Sequence, residues 1–175
     1  VAEIDVVRAC ESIKGAAAKL GENVVVKRVA RLEVPSGVVG GYVHAGGKLG
    51  VLVALRSESA GPRLEGLAKD ISMHVAAADP SPVAVSREGV SPELLAKERE
   101  IYRKQALQEG KPEKVVDRIV EGKVAKFLSD VCLVDQAYVK DPDKTVGELL
   151  GEVGGVEIQA FERFRLGQSG EGGTA

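Results

Sequence analysis

The chain has 175 residues, 44% of them hydrophobic and 29% charged, enough for one sizeable core with an appendage and too apolar for a disordered segment. Its 24 basic and 26 acidic residues give a net charge of −2 with no basic stripe, which argues against direct binding of nucleic acid. No apolar run approaches the roughly 20 residues of a membrane span, so no membrane partner is expected, and no secretory signal pattern opens the chain.

Residues 2–20 place Ile4, Val7, Cys10, Ile13, Ala17 and Leu20 on one side of a helix, with Gly21 to stop it. Residues 24–34 alternate, are rich in β-branched side chains and read as a strand. After a turn at Pro35-Ser36-Gly37, residues 38–44 and 49–55 read as two more strands joined by the loop Ala45-Gly46-Gly47-Lys48. Gly61-Pro62 opens a helix with Leu64, Leu67, Ala68, Ile71, Val75 and Ala78 at helical spacing, and Asp79-Pro80-Ser81-Pro82 ends it.

Residues 91–146 are the most informative stretch. Ser91-Pro92-Glu93 caps a helix with apolar Leu94, Leu95, Ile101, Tyr102 and Ala106. Beyond Gly110-Lys111-Pro112 a second carries Val115, Val116, Ile119, Val120, Val124, Phe127, Leu128 and Val131. Both sets recur at three and four residues, one apolar stripe per helix. Such a hairpin has little to bury except its own seam, so a protruding arm that touches partners is expected. An extended segment follows, then a capping box at Thr145 and Glu148 before a short helix, and a last strand over 156–166. The glycine-rich end, 168–175, has too little apolar content to pack. Residues 21–34 and 154–166 echo each other in glycine, alternating apolar residues and arginine (Arg31, Arg163), which would make them sheet neighbours with the arm inserted between.

The fold class expected is α+β: a small antiparallel sheet with flanking helices and an inserted antiparallel helical hairpin, a coiled-coil arm. The boundaries are 1–82 for the core, 83–133 for the arm, 134–167 for the return to the core and 168–175 for the tail. Cys10 and Cys132 lie far apart in helical patterns and are expected as separate buried thiols in a reducing compartment.

No constellation of nucleophile, base or metal ligands stands out, so neither an enzyme nor a cofactor nor a metal is expected. Of the two histidines, His74 lies mid-helix and reads as a partly buried structural residue. His44 lies at a strand end beside a glycine-rich turn, where contacts are made. Gly46-Gly47-Lys48 joins two strands and lacks both the earlier glycine and the following hydroxyl residue of a phosphate loop.

Several stretches together resemble elongation factor Ts, the exchange factor for elongation factor Tu. They are LGENVVVKRVARLE, VVGGYVHAGGKLGVLVAL, LAKDISMHVAAADP, the run from Glu98 to Leu150, and FERFRLG; in order they cover residues 20–167. The resemblance implies an α+β core half and a protruding or dimerising arm. It also implies partner-binding residues: Leu20 and Gly21 against the GTPase domain of elongation factor Tu, and His44, Val139 and Lys140 against its last domain. Lys140 stands where some members carry an apolar residue.

Family members also have a small N-terminal helical domain and a Thr-Asp-Phe-Val loop that disturbs the partner's magnesium site. Neither pattern occurs in this sequence, and residues 56–61 (Arg-Ser-Glu-Ser-Ala-Gly) lack its aromatic wedge. The expectation is therefore the C-terminal half of the core, whose missing half lies upstream or in another chain. The compartment implied is bacterial cytoplasm or an organelle stroma or matrix. The rival reading is a structural module that self-associates through the arm.

Overall fold

The computed structural model describes residues 6–59 and 61–167, residues 6–10 by their backbone alone. The chain divides into a first unit through Arg31 and a second from Leu32 onward.

In the first unit, α1 (Val6–Leu20) carries Lys19 in its last turn, where a cation suits the helix dipole. It stops at Gly21, whose φ of 66° lies in the left-handed region and whose amide donates to the Ala17 carbonyl at 2.9 Å. The start expected at residue 2 and the side chain of Cys10 lie outside the described residues. Residues 24–34 form no strand, contrary to expectation. Val25, Val26 and Val29 are 50–65% exposed. Alternation marks an extended chain with two unlike faces; a strand needs a ladder as well, and among the described residues none forms along this segment. The echo with residues 154–166 therefore does not make sheet neighbours.

In the second unit, β1 (Gly37–Val43) and β2 (Leu49–Ser57) form the expected hairpin, and β5 (Val156–Arg165) joins β2 to give the antiparallel order β1-β2-β5. A bulge lies at Ala54/Leu55, opposite Ala160 and Ile158. α2 (Pro62–Ala77) lies across β1 and β2. Its Leu64, Leu67, Ala68, Ile71 and Val75 meet Val51, Val53 and Leu55 of β2 and Ile158 and Phe161 of β5 in the main core. The approach is close because β1 offers a glycine: a Cβ on Gly40 would lie 2.5 Å from the Ala68 Cβ.

The chain leaves the sheet after β2, runs through α2 and the arm, and returns as β5. The arm consists of α3 (Pro92–Gln108) and α4 (Glu113–Val131), each roughly 25–30 Å long at 1.5 Å per residue. Ser91 caps α3 by accepting from the Leu94 amide at 3.2 Å. Ala106, Val116, Val120 and Val124 are buried in the seam, with Leu95, Tyr102, Ile119 and Leu128 packed against them. Ile101 and Val115, counted in the apolar stripes, stay 37% and 41% exposed at its margins. The base is tied three times: Val83 donates to Val131 and Leu133 to Ala84, each at 2.9 Å, and Val134 donates to Val85 at 3.0 Å. Beneath these bonds Ala84, Val90, Val131 and Cys132 form a small second core.

Beyond the arm, the segment expected to be extended is a 3-10 turn (Leu133–Asp135) and a miniature hairpin of β3 (Ala137–Tyr138) and β4 (Asp141–Thr145). α5 (Val146–Val153) follows behind the expected capping box: the Glu148 amide donates to Thr145 Oγ1 at 3.1 Å, and the Thr145 amide donates to Glu148 Oε2 at 2.7 Å. The fold is α+β, a small antiparallel sheet with flanking helices. The tail, 168–175, lies outside the described residues.

Candidate partner-binding surface

A protein that contacts others through an edge needs exposed side chains on a backbone that does not yield. The hairpin loop after β1 supplies one such place. The His44 amide donates to the Leu49 carbonyl, and the His44 carbonyl accepts from the Gly47 amide, both at 2.9 Å. Gly46 and Gly47 take φ of 89° and 70°, which a side chain would oppose. His44 is exposed, with Nδ1 3.1 Å from the Tyr42 hydroxyl and its ring edge-on to Tyr42 at 6.0 Å. One imidazole nitrogen is thus engaged with Tyr42.

The second place is the β3–β4 turn, Val139-Lys140. Val139 is 41% exposed. Lys140 pairs with Asp70 of α2 at 2.7 Å, and this bond to a carboxylate raises its pKa. Turns this short are usually mobile, but this one is held from below by α2. The Val139 amide donates to His74 Nδ1 at 3.2 Å, and His74 Nε2 lies 3.0 Å from Gln136 Oε1. The Gln136 amide nitrogen donates to the carbonyls of Pro80 (2.9 Å) and Asp130 (2.7 Å). The ends of α2 and α4 and the start of β3 therefore meet in one network. The Tyr138 ring closes it, 5.9 Å from the His74 ring.

Burial lowers the His74 pKa against the opposing bond to Gln136. Burial also raises that of Tyr138, helped by Asp70. Both groups are held in their neutral forms. A cleft of about 260 Å³ opens beside the network, lined by His74, Asp79, Pro80, Asp130, Gln136 and Val139 among others.

β2 finishes at Ser57 beside the start of β1, and α2 begins at Pro62 and reaches Gly40 at Ala68. His44 follows β1, and Asp70 and His74 lie in the second half of α2.

Leu20 and Gly21 belong to the first unit. Leu20 is 65% exposed at the C-terminal end of α1, and Gly21 makes the reversal. Of the five residues implied by the resemblance, His44, Val139 and Lys140 lie in the second unit.

Sequence reasoning missed Asp70, Gln136 and the contact role of His74. Gln136 stands 62 residues from His74, and no local spacing announces such a pair. His74 proves fully buried at 1% exposure, beyond the partial burial expected of it.

Among the described residues no group of His, Cys, Asp or Glu is placed to hold a metal ion. Cys132 is a free thiol, fully buried, with its pKa pushed up to about 11 by burial and Asp135. The loop at Gly46-Gly47-Lys48 turns between β1 and β2 and opens no helix. No described helix is long and apolar enough to cross a membrane.

The family model described as Elongation factor TS matches residues 4–168. Elongation factor Ts of Clostridium perfringens is 47% identical over 156 residues, 86% of this chain and 51% of that protein. That of Clostridium novyi is 47% identical over 163 residues, 90% and 53% of the two chains, and that of Halothermothrix orenii 47% over 156 residues, 89% and 50%. The chain spans about half the length of these curated relatives.

Proposed function

The chain belongs to the elongation factor Ts family, and we propose on that basis that it binds elongation factor Tu and promotes the release of GDP from it during protein synthesis. The observation that carries this reading is the match of one family model to residues 4–168, nearly the whole chain. The surface fits it: His44 and the Val139-Lys140 turn each stand on backbone held by hydrogen bonds. Leu20 and Gly21 form the second contact in this reading, against the partner's GTPase domain.

Exchange is a coupling between two ligands on one protein. If the factor weakens GDP binding, GDP weakens the factor by the same ratio, and each tenfold loosening takes about 1.4 kcal/mol of differential interaction. The binding surface supplies affinity. The loosening needs something that reaches the nucleotide site, and residues 56–61 carry no aromatic wedge for that. These 175 residues alone therefore bind while stimulating release weakly. Elongation factor Tu loaded with a fluorescent GDP analogue tests this, with binding and release followed separately. Release as fast as that produced by a full-length family member overturns the weak-exchange part, and absence of binding overturns the whole.

The rival is a structural module that pairs through the arm, favoured by the exposed Ile101, Leu107 and Val115 on α3 and α4. A monomeric mass by light scattering at working concentration removes it.

A further inference from the structure

We propose that His74 and Gln136 are positioning residues that hold the Val139-Lys140 turn in its partner-facing conformation, and that they do so only while the His74 ring is neutral with its proton on Nε2. This rests on the reading of that turn as a contact for elongation factor Tu.

The hydrogen bonds leave one consistent assignment. Both N–H groups of the Gln136 amide are used, one on the Pro80 carbonyl and one on the Asp130 carbonyl. Turning the amide over would set its oxygen against two carbonyl oxygens. The oxygen therefore faces His74 Nε2, which must donate across the 3.0 Å. A neutral imidazole protonated at Nε2 keeps its lone pair at Nδ1, and there the Val139 amide points, 3.2 Å away. A second proton on Nδ1 would set N–H against N–H. The Val139 amide would lose its acceptor, and the Lys140–Asp70 pair that also ties the turn to α2 is exposed and screened by solvent.

Most of the charged groups around the ring are otherwise occupied. Asp70, one helical turn earlier on α2, holds Lys140. The Asp130 carboxylate on α4 holds Lys126 at 2.9 Å. Asp135, beside Gln136, holds Arg87 at 2.7 Å. Asp79 lines the adjoining cleft, and Tyr138 faces the ring without a charge. None of these contacts His74 itself, so the histidinium has no paired carboxylate to stabilise it, and burial favours the neutral ring.

Three readouts on the whole chain test the proposal. Nitrogen NMR of the ring at pH 7.5 should show Nε2 protonated and Nδ1 bare. Exchange protection of the Val139 amide, corrected for intrinsic rate and set against Val53 in the core, should fall as the sample is acidified through the His74 titration. His74→Phe, which fills the space without an acceptor, should weaken binding to elongation factor Tu by about tenfold, the scale of one hydrogen bond. His74→Asn, which offers a carbonyl oxygen near the Nδ1 position and does not titrate, should restore most of that affinity and keep Val139 protected at low pH.

A proton on Nδ1 at pH 7.5, or a Val139 amide indifferent to the titration, overturns the proposal whatever the binding shows. So does a folded His74→Phe variant that binds as the parent does. If the ring and amide behave as stated but the parent chain binds at no pH, the functional reading falls, and the positioning of a partner contact falls with it.

Discussion

Gly40→Ala isolates the closest approach in the core. A Cβ at Gly40 would lie 2.5 Å from the Ala68 Cβ, 2.8 Å from its carbonyl carbon and 3.1 Å from its carbonyl oxygen. Carbon atoms settle at roughly 3.5–4.0 Å, so α2 must lift from β1 by about 1 Å. Helix backbone is on the other side of that contact, and no side chain can swing away instead. The lift loosens Leu64, Leu67, Ile71 and Val75, none of them more than 8% exposed. Overpacking of this kind costs about 1–3 kcal/mol, and a stiffer unfolded chain offsets about 0.4–1 kcal/mol of it. The net loss is about 1–2 kcal/mol, which lowers Tm by about 2–8 °C in a chain of this size. Gly50→Ala is the control, because nothing lies within 4 Å of a Cβ there and its φ is not positive. Calorimetric melts of both variants decide it. A Gly40→Ala variant that melts with the parent, or a Gly50→Ala variant that falls as far, refutes the packing argument. Because α2 carries Asp70 and His74, the same variant should also weaken partner binding.

The Cys132 thiol, with its pKa pushed up to about 11 from an ordinary 9.0, has roughly a hundredfold less thiolate than a free thiol at the same pH. Peptide mass spectrometry after iodoacetamide should find it unmodified until the chain unfolds, and rapid labelling in the native state would contradict its burial. Thr145→Ala removes a capping box and should cost about 1 kcal/mol in denaturant titration. By comparison Asp117→Asn, which breaks an exposed pair with Arg103, should cost under about 0.5 kcal/mol. Because the folded His74 pKa is lowered from 6.5, the unfolded chain takes up the proton first on acidification. Stability should therefore fall as pH drops below 6.5 and level off beneath the folded pKa. His74→Asn should remove that part of the slope, and an unchanged slope would assign it to other groups.

What the sequence made legible was local. The β1–β2 hairpin follows from alternation on either side of a glycine-rich loop, and the two arm helices from spacing with caps at Ser91 and a break at Gly110-Lys111-Pro112. The capping box at Thr145 and Glu148 was readable from four letters. The strand expected over 24–34 failed because alternation describes side chains, while a ladder depends on which neighbours the rest of the fold provides. The same limit hid the brace beneath the candidate site. Gln136 has no neighbour in sequence that predicts His74, and the network appears only when α2, α4 and β3 converge. His44 stood out as an exposed strand-end residue. Val139 and Lys140 came only from the resemblance, and the way α2 holds them was invisible.

The most direct test of the account is a calorimetric titration of this chain into nucleotide-free elongation factor Tu, repeated with GDP present and with a His44→Ala/Val139→Ser double variant. The account predicts binding by the parent chain, only slightly weaker binding when GDP is present, and a clear loss of affinity in the folded double variant. Binding that is indifferent to both substitutions would contradict the assigned surface, and no binding to either form would contradict the function.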